Sequence, residues 1–303
     1  LKIVTARELI FRLQRGERWW IPTAGALEFP EKEYVIPPYA LGVMLGDGCL
    51  TRATNDHGRT IFISNPEDDI RRKFAEVTDT TIMLPDGDRP RCSFKPMNGK
   101  EMRAYLIEKG LNCRSYDRYI PEEYLFGRIE QRRQLLFGLM DTDGCVQPKN
   151  RFSFTTTSER LRDGFIALCR SLGYVATASD DGRHEKYHSG NAWRICVSTD
   201  DAIFSSEKHT ATSERNKAES NRKYSREQTH IRIVSIKKVR RAQCQCILID
   251  DPMHLYVTDQ YCVTHNSYGA LLMAAAQIDD PNFRMVFIRK NLGDTKVGGG
   301  GFD

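Results

Sequence analysis

The stretch Gln134–Val146, QLLFGLMDTDGCV, decides the fold, because a second copy, YALGVMLGDGCL, stands at Tyr39–Leu50. Each copy is followed by a strand-like run and then an amphipathic helix. In the first these are TIFISN (60–65) and PEDDIRRKFAEV (66–77). In the second they are RFSFTTT (151–157) and SERLRDGFIALCRSLGY (158–174). An ordered duplication of this kind predicts two pseudo-symmetric halves of one domain over 37–200. Each half opens with a short helix, the first entered through Pro37-Pro38, a favoured helix start. Small residues recur at matching places, Gly42 and Gly46 in one helix, Gly138 and Thr142 in the other. Small side chains let two backbones approach, so the two helices are expected to pack together. Both end in Asp-Gly, at Asp47-Gly48 and Asp143-Gly144. One Asp-Gly is a turn signal. A carboxylate there is also electrostatically misplaced, since a helix C-terminus already carries partial negative charge. Two such carboxylates brought together become tolerable around a divalent cation.

The segments ALGVMLGDG (40–48) and LFGLMDTDG (136–144) resemble the paired motifs of LAGLIDADG homing endonucleases, also called the DOD type. The second copy is close, and the first departs at Leu45, where the family has an acidic residue. The two terminal aspartates lie 96 residues apart, as a single-chain, two-motif member needs. The resemblance implies an α+β architecture, a duplicated αββαββα fold with the motif helices central and saddle-shaped sheets on double-stranded DNA. It implies Asp47 and Asp143 as the carboxylates that bind Mg²⁺, one per strand, in a monomeric endonuclease domain. Such domains often carry a Lys before an aliphatic residue and Pro ahead of the second motif. Here DRYIPEEYL places Arg118 there, which keeps the charge but cannot shed a proton as Lys can.

The strand patterns suit a sheet that meets DNA. Arg89, Arg91, Ser93 and Lys95 alternate with Pro90, Cys92 and Phe94; Arg151, Ser153 and Thr155 alternate with Phe152 and Phe154; Arg194 and Ser198 alternate with Trp193, Ile195 and Val197. Period-two alternation sends the basic and hydroxyl groups to one face, where Arg and Lys can meet phosphates or guanine edges. Arg89, Arg91, Lys95, Arg151, Ser153 and Arg194 are thus candidate DNA contacts. The alternative is an ordinary solvated sheet face.

From Ile231 the chain turns strand-like again and reaches Thr264-His265-Asn266-Ser267. The segment CQCILIDDPMHLYVTDQYCVTHNS (244–267) resembles the terminal splicing blocks of inteins, which commonly house LAGLIDADG endonucleases. The resemblance implies an all-β, Hint-type splicing domain into which the endonuclease is inserted. An Asn amide can attack its own main-chain carbonyl, forming a succinimide and breaking the next peptide bond. His265 is the adjacent proton donor and Ser267 the downstream nucleophile. By the same analogy His254 is a second assisting histidine, and Cys246 takes the place where many inteins have Asp, catalytic or simply packed. The 37 residues from Ser267 onward, an Ala-rich helix start and then RMVFIRKN, resemble the region just after the phosphate-binding loop of phage terminase large subunits. The expected organisation is therefore a splicing remnant and linker at 1–36, the endonuclease at 37–200, a basic linker at 201–230, the C-terminal splicing region at 231–266 and the start of a C-extein at 267–303. Leu1 is then the edge of a longer precursor, and an N-terminal intein fragment or a precursor segment is the expected partner.

Composition is consistent with this reading and excludes others. The chain has 303 residues, 40% hydrophobic and 28% charged, with a net charge of +5. Its mean hydropathy is −0.51, and no apolar run approaches membrane-spanning length. Nine cysteines without a CxxC pair indicate neither a disulfide scaffold nor a zinc ribbon; a reducing bacterial cytoplasm, host to a phage, is the expected compartment. Residues 201–241 hold 11 Lys or Arg against 5 Asp or Glu, so the excess charge sits in the expected linker and, mostly, in the start of the splicing region that follows it. Two rivals remain at this point: a free-standing LAGLIDADG endonuclease, and a derivative that holds nucleic acid without cutting it.

Overall fold

The structure is a computed structural model that describes residues 6–51, 60–80, 82–83, 91–147, 151–182, 192–219, 230–237, 255–258 and 261–265. The chain divides into two compact units, one of residues 1–23 with 230–303 and one of 24–229. In the first, helix α1 (Ala6–Gln14) precedes strand β1 (Trp19–Pro22). The chain then leaves for the second unit and returns at His230.

The second unit holds both repeats. Helix α2 (Pro38–Asp47) is followed by β2 (Ile61–Ser64), α3 (Asp68–Val77), β3 (Ile82–Met83), β4 (Arg91–Phe94) and α4 (Gly99–Glu108). A short 3₁₀ turn (Ser115–Asp117) and α5 (Glu122–Leu125) lead to the second copy. That copy runs α6 (Ile129–Asp143), β5 (Gly144–Gln147), β6 (Arg151–Thr156), α7 (Glu159–Ser171), β7 (Val175–Asp180), β8 (Trp193–Ser198) and α8 (Glu207–Glu219). The second half thus reads αββαββα. Its sheet has the order β5-β6-β8-β7 and the first half's β2-β4-β3, all neighbours antiparallel. In the first half a single bridge, Gly48 to Ile63, stands where β5 pairs β6 in the second.

The alternation read from the sequence sets the pleat. Cys92, Phe94, Phe152, Phe154, Ile195 and Val197 all point into the core. There Phe74 meets Phe94 edge-on at 4.7 Å, and Phe154 stacks on Phe165 at 4.2 Å. Ser158 caps α7 by accepting a bond from the Leu161 amide at 3.1 Å, the expected use of Ser at a helix start.

Gly42 and Gly138 mark where α2 and α6 touch. A Cβ on Gly42 would lie 2.5 Å from the Leu135 carbonyl oxygen, and one on Gly138 would lie 2.3 Å from that of Tyr39. The glycines after each motif differ from a usual helix cap. Gly48 (φ −72°, ψ 139°) and Gly144 (φ −86°, ψ 157°) are extended, not left-handed. They are needed for space: in each case a Cβ would lie 2.3 Å from a carbonyl oxygen four residues back, Met44 and Met140.

One core residue carries a charge. Arg132 is fully buried, and its guanidinium donates to the carbonyls of Gly127 (2.8 Å), Ser171 (2.7 Å) and Leu27, and to Ser171 Oγ (2.6 Å). It ties α6, α7 and the entry segment into one body. Arg132→Ala would strand several buried carbonyls, so we expect a loss of about 3 kcal/mol or more, read as a drop of about 10 °C in melting temperature.

The strand-rich ends meet in the first unit. There β1 pairs antiparallel with β9 (His230–Ile233), Pro22 opposite His230 and Trp19 opposite Ile233. Thr23 bridges Cys262, and β10 (Leu255–Val257) pairs with β11 (Val263–His265). The entry and exit of the second unit are thus neighbours in one ladder, the arrangement an inserted domain needs. The observed division falls at 23/24, not 36/37. Residues 24–36 belong with the second unit because Lys32 and Tyr34 bond the Glu123 carbonyl. The stretch read as a linker from 201 is likewise part of it at first: Ile203, Phe204 and Ser206 are buried and α8 follows. No helix of the described residues is long and apolar enough to cross a membrane.

Candidate DNA-cleavage site

Asp47 and Asp143 close the two central helices, and close packing of α2 on α6 brings them together. A Cβ on Gly46 would lie 2.0 Å from Thr142 Oγ1 and 3.0 Å from the Asp143 carboxylate, so only glycine lets the second carboxylate approach α2. Arg118 stands close to both. Only 8% exposed, it donates from Nη1 to the carbonyls of Leu45 (2.6 Å) and Gly46 (2.7 Å) and from Nη2 to that of Gly48 (2.6 Å). These are among the carbonyls that the end of α2 leaves unsatisfied. The guanidinium therefore caps the helix and sets a positive charge beside both carboxylates. Its Nε has no hydrogen-bond partner among the described residues. The Arg118 carbonyl in turn accepts from Ser158 Oγ at 2.5 Å, so the cap of α7 also fixes Arg118.

Sequence reasoning missed Asn65. It follows β2, is 4% exposed, and donates from Nδ2 to Asp47 Oδ2 at 2.6 Å. Its own Oδ1 accepts from the Glu67 amide at 2.8 Å, which fixes the amide orientation. An isolated Asn after a strand carries no periodic signal, so only the tertiary contact exposes it.

The electrostatics follow from burial. Asp47 is raised above the usual carboxylate range, first by lost hydration, with Asn65 and Arg118 acting against the rise. Asp143 is pushed up to about 7, first by lost hydration and then by the Asp47 charge, with Arg118 opposing. The Asp143 side chain does reach solvent, but it does so within a concavity. A cavity of about 220 Å³ opens beside it, lined by Arg118, Ser115, Thr155, Thr157 and the α2 residues Leu45 and Gly46. Both the concavity and the neighbouring Asp47 push this carboxyl upward. A carboxyl with a raised folded value favours the fold below its unfolded value, near 4, and loses that contribution as pH rises through about 7. Metal-free Asp143→Asn is therefore expected to melt higher than the parent at pH 8 and no higher at pH 4, by calorimetry. A cation must also displace the proton, so its apparent affinity should rise with pH up to about 7 and then level.

No group of three or more His, Cys, Asp or Glu side chains that could hold a metal is found among the described residues. Two carboxylates nevertheless suit Mg²⁺, which keeps several waters and takes the rest of its shell from substrate phosphate. The charge-disfavouring setting of both carboxylates gives a cation something to relieve.

The candidate DNA contacts divide. Lys95, Arg151 and Arg194 are exposed, and Thr155 stands opposite Arg194 on the same face of the second sheet. Arg194 is engaged in an ion pair with Asp181. Ser153 corrects the sequence reading. Register places it on that face between Cys145 and Cys196, yet it is only 3% exposed, because Gln147 lies over it and donates to its Oγ at 3.2 Å. Alternation fixes the face but not what covers it. Arg91 begins β4 opposite Ser64; Arg89 lies outside the described residues. Of the splicing candidates, His265 ends β11 opposite Leu255, and Cys246, His254, Asn266 and Ser267 lie outside the described residues, as does the tail from 267.

Parts of the chain are similar to known proteins. Residues 119–225 match the family model described as homing endonuclease. Over 252 residues, 82% of this chain, the sequence is 33% identical to the replicative DNA helicase DnaB of Mycobacterium intracellulare; the chain spans 38% of that relative's length. Among solved structures, I-DmoI in complex with DNA and Ca aligns over 60% of this chain and 97% of its own, at 14% identity and a TM-score of 0.40. I-WcaI bound to its DNA recognition sequence aligns over 64% and 84%, at 10% identity and a TM-score of 0.34.

Proposed function

We propose that the homing endonuclease match over residues 119–225 marks one half of a cutting domain that the internal duplication extends through the first motif, and that this domain makes Mg²⁺-dependent double-strand breaks in DNA. The single observation that carries this is the pairing of Asp47 and Asp143 at the ends of α2 and α6, both with raised pKa values and both beside Arg118. Such a pair has little use in a structural helix interface and a direct use around a cation and a phosphate. Bound Mg²⁺ would supply Lewis-acid stabilisation of charge on the phosphate oxygens. Asp47 and Asp143 would hold it. Asn65 keeps the Asp47 carboxylate in one rotation. Arg118, with most of its donors spent on the end of α2, contributes a fixed positive field and an Nε–H that has no partner among the described residues. Lys95, Arg151 and Arg194 meet the phosphate backbone and hold the duplex in register. Hydrolysis forms one water oxygen–phosphorus bond and breaks one phosphodiester bond in each strand.

We further propose that this domain belongs to an intein. The insertion of the second unit between β1 and β9 supports the reading. So does the relative: the 37 residues beyond Asn266 are far too few to account for an alignment of 252 residues, so the similarity to a helicase-named protein lies mainly in the intein-like part. That name favours a replicative helicase gene as the host, over the terminase gene suggested by the tail. In the splicing region Asn266 would cyclise, its side-chain nitrogen bonding its own carbonyl carbon as the bond to Ser267 breaks. His265 would protonate the leaving amine and His254 assist, while Ser267 would accept the upstream flank as an ester; Cys246 would assist or serve packing alone. Mass spectrometry of the purified chain tests this half. A C-terminal succinimide with a released 37-residue tail is expected, and a chain that stays intact after long incubation contradicts it. The cutting half is tested by incubating the chain and Mg²⁺ with a supercoiled plasmid carrying the insertion-free helicase gene, with the terminase gene in a parallel arm. Linear product from one plasmid supports the reading, and none from either removes it.

A further inference from the structure

The second motif carries a carboxylate that the cutting site does not use. Asp141 lies on α6 two residues before Asp143 and is 2% exposed. Four donors hold it: Tyr39 Oη at 3.0 Å, the Ser205 amide at 2.9 Å, Ser205 Oγ at 2.5 Å and the Ser206 amide at 3.0 Å. A carboxylate offers about four acceptor sites, so Asp141 is filled by these donors.

The donors come from two separate places. Tyr39 stands at the start of α2. Ser205 and Ser206 belong to a strap, Ile203–Ser206, that crosses to the start of α8. The strap is seated by Ile203 and Phe204, both buried, the latter edge-on to Phe152 at 5.9 Å. From α3, Asp69 accepts the Glu207 amide at 2.7 Å, and Lys73 Nζ lies 4.2 Å over the Tyr39 ring. The first motif has no counterpart, because Leu45 stands at the equivalent position and is buried. The two helix ends are thus held by different means. Arg118 grips the end of α2 through three carbonyls, and Asp141 grips the last turn of α6.

We propose that Asp141 is a positioning residue for the cutting site, latching the 203–206 strap and Tyr39 to the last turn of α6 and so fixing Asp143 against α2. The assignment rests on the endonuclease reading of Asp47 and Asp143. Because the latch is one-sided, its loss should disturb the Asp143 side of the site more than the Asp47 side.

Asp141→Asn in the full chain puts an NH₂ group among four donors. Three measurements follow: amide hydrogen exchange at Ser205 and Ser206, Mn²⁺ binding, and the ratio of nicked to linear plasmid. Exchange at both amides should speed by about tenfold or more, Mn²⁺ affinity should fall by about tenfold, and nicked plasmid should accumulate as one strand lags. Tyr39→Phe and Ser205→Ala each remove one donor and should act in the same direction by about threefold, and they carry the test if Asp141→Asn fails to fold. Unchanged exchange at Ser205 and Ser206 overturns the latch. Faster exchange with unchanged Mn²⁺ affinity and strand ratio overturns the positioning role, since a purely structural latch would slow both strands alike. A parent chain that binds no Mn²⁺ and cuts nothing removes the endonuclease reading instead, while the exchange data still decide the latch.

Discussion

Asp143→Asn is expected to abolish double-strand cleavage, lowering its rate by about a thousandfold, with Asp47→Asn close behind. The substitution keeps the shape of the side chain and removes its charge. Packing should tolerate it, because Asp143 is destabilised as an anion by lost hydration and by Asp47. Circular dichroism should therefore match that of the parent, and the melting temperature should not fall, while linear product disappears. Asp47→Asn carries one more consequence. Asn65 donates to Asp47 Oδ2, and an amide at position 47 can still accept that bond by presenting its oxygen, so Asn65 need not move. A variant that keeps cleavage would show that the paired carboxylates are not the metal site. A variant that unfolds would show that their charge serves the fold.

Gly138→Val should cost about as much stability as Arg132→Ala and remove cleavage as well. The new Cβ would stand 2.3 Å from the Tyr39 carbonyl oxygen and 2.9 Å from Gly42 Cα, and backbone atoms cannot swing aside as a flexible side chain can. We expect a loss of about 3 kcal/mol and a fall of about 10 °C in melting temperature, with cleavage lost through separation of the two carboxylates. Gly42→Ala meets the same contact from the other helix, at 2.5 Å from the Leu135 carbonyl oxygen. The double variant should therefore cost less than the sum of the two, since the helices are parted only once. Gly164→Ala is the control. Its Cβ would meet Ile120 at 3.4 Å or more, an ordinary contact, and it gains helix propensity of up to about 1 kcal/mol.

The parts legible in the sequence were those set by short-range pattern. Two motif copies gave two equivalent helices, Gly42 and Gly138 gave their close approach, and alternation gave the inward faces of β4, β6 and β8. What escaped was set by contacts distant in sequence. Arg132 reads as one more charge on a helix, and only the fold shows it satisfying carbonyls from three segments. Asn65 gains its meaning from Asp47 across the turn into β2. Asp141 looks like part of an acidic motif until the strap 64 residues downstream is found on it. Ser153 alternates with Phe152 and Phe154 yet lies beneath Gln147, a cover that no period reveals. Arg118 is where both kinds of reasoning met: its position marked it as a site residue, and the structure assigned most of its donors to the end of α2.

The central claim is that Asp47 and Asp143 together cut both strands of one duplex. It is tested most directly by end-labelling each strand of duplexes spanning the proposed insertion points in a helicase gene and a terminase gene and resolving the products on a denaturing gel, with Mg²⁺ at pH 8. The account predicts a discrete cut in each strand, both lost in Asp143→Asn. Intact strands, or cuts that persist without either carboxylate, would contradict it.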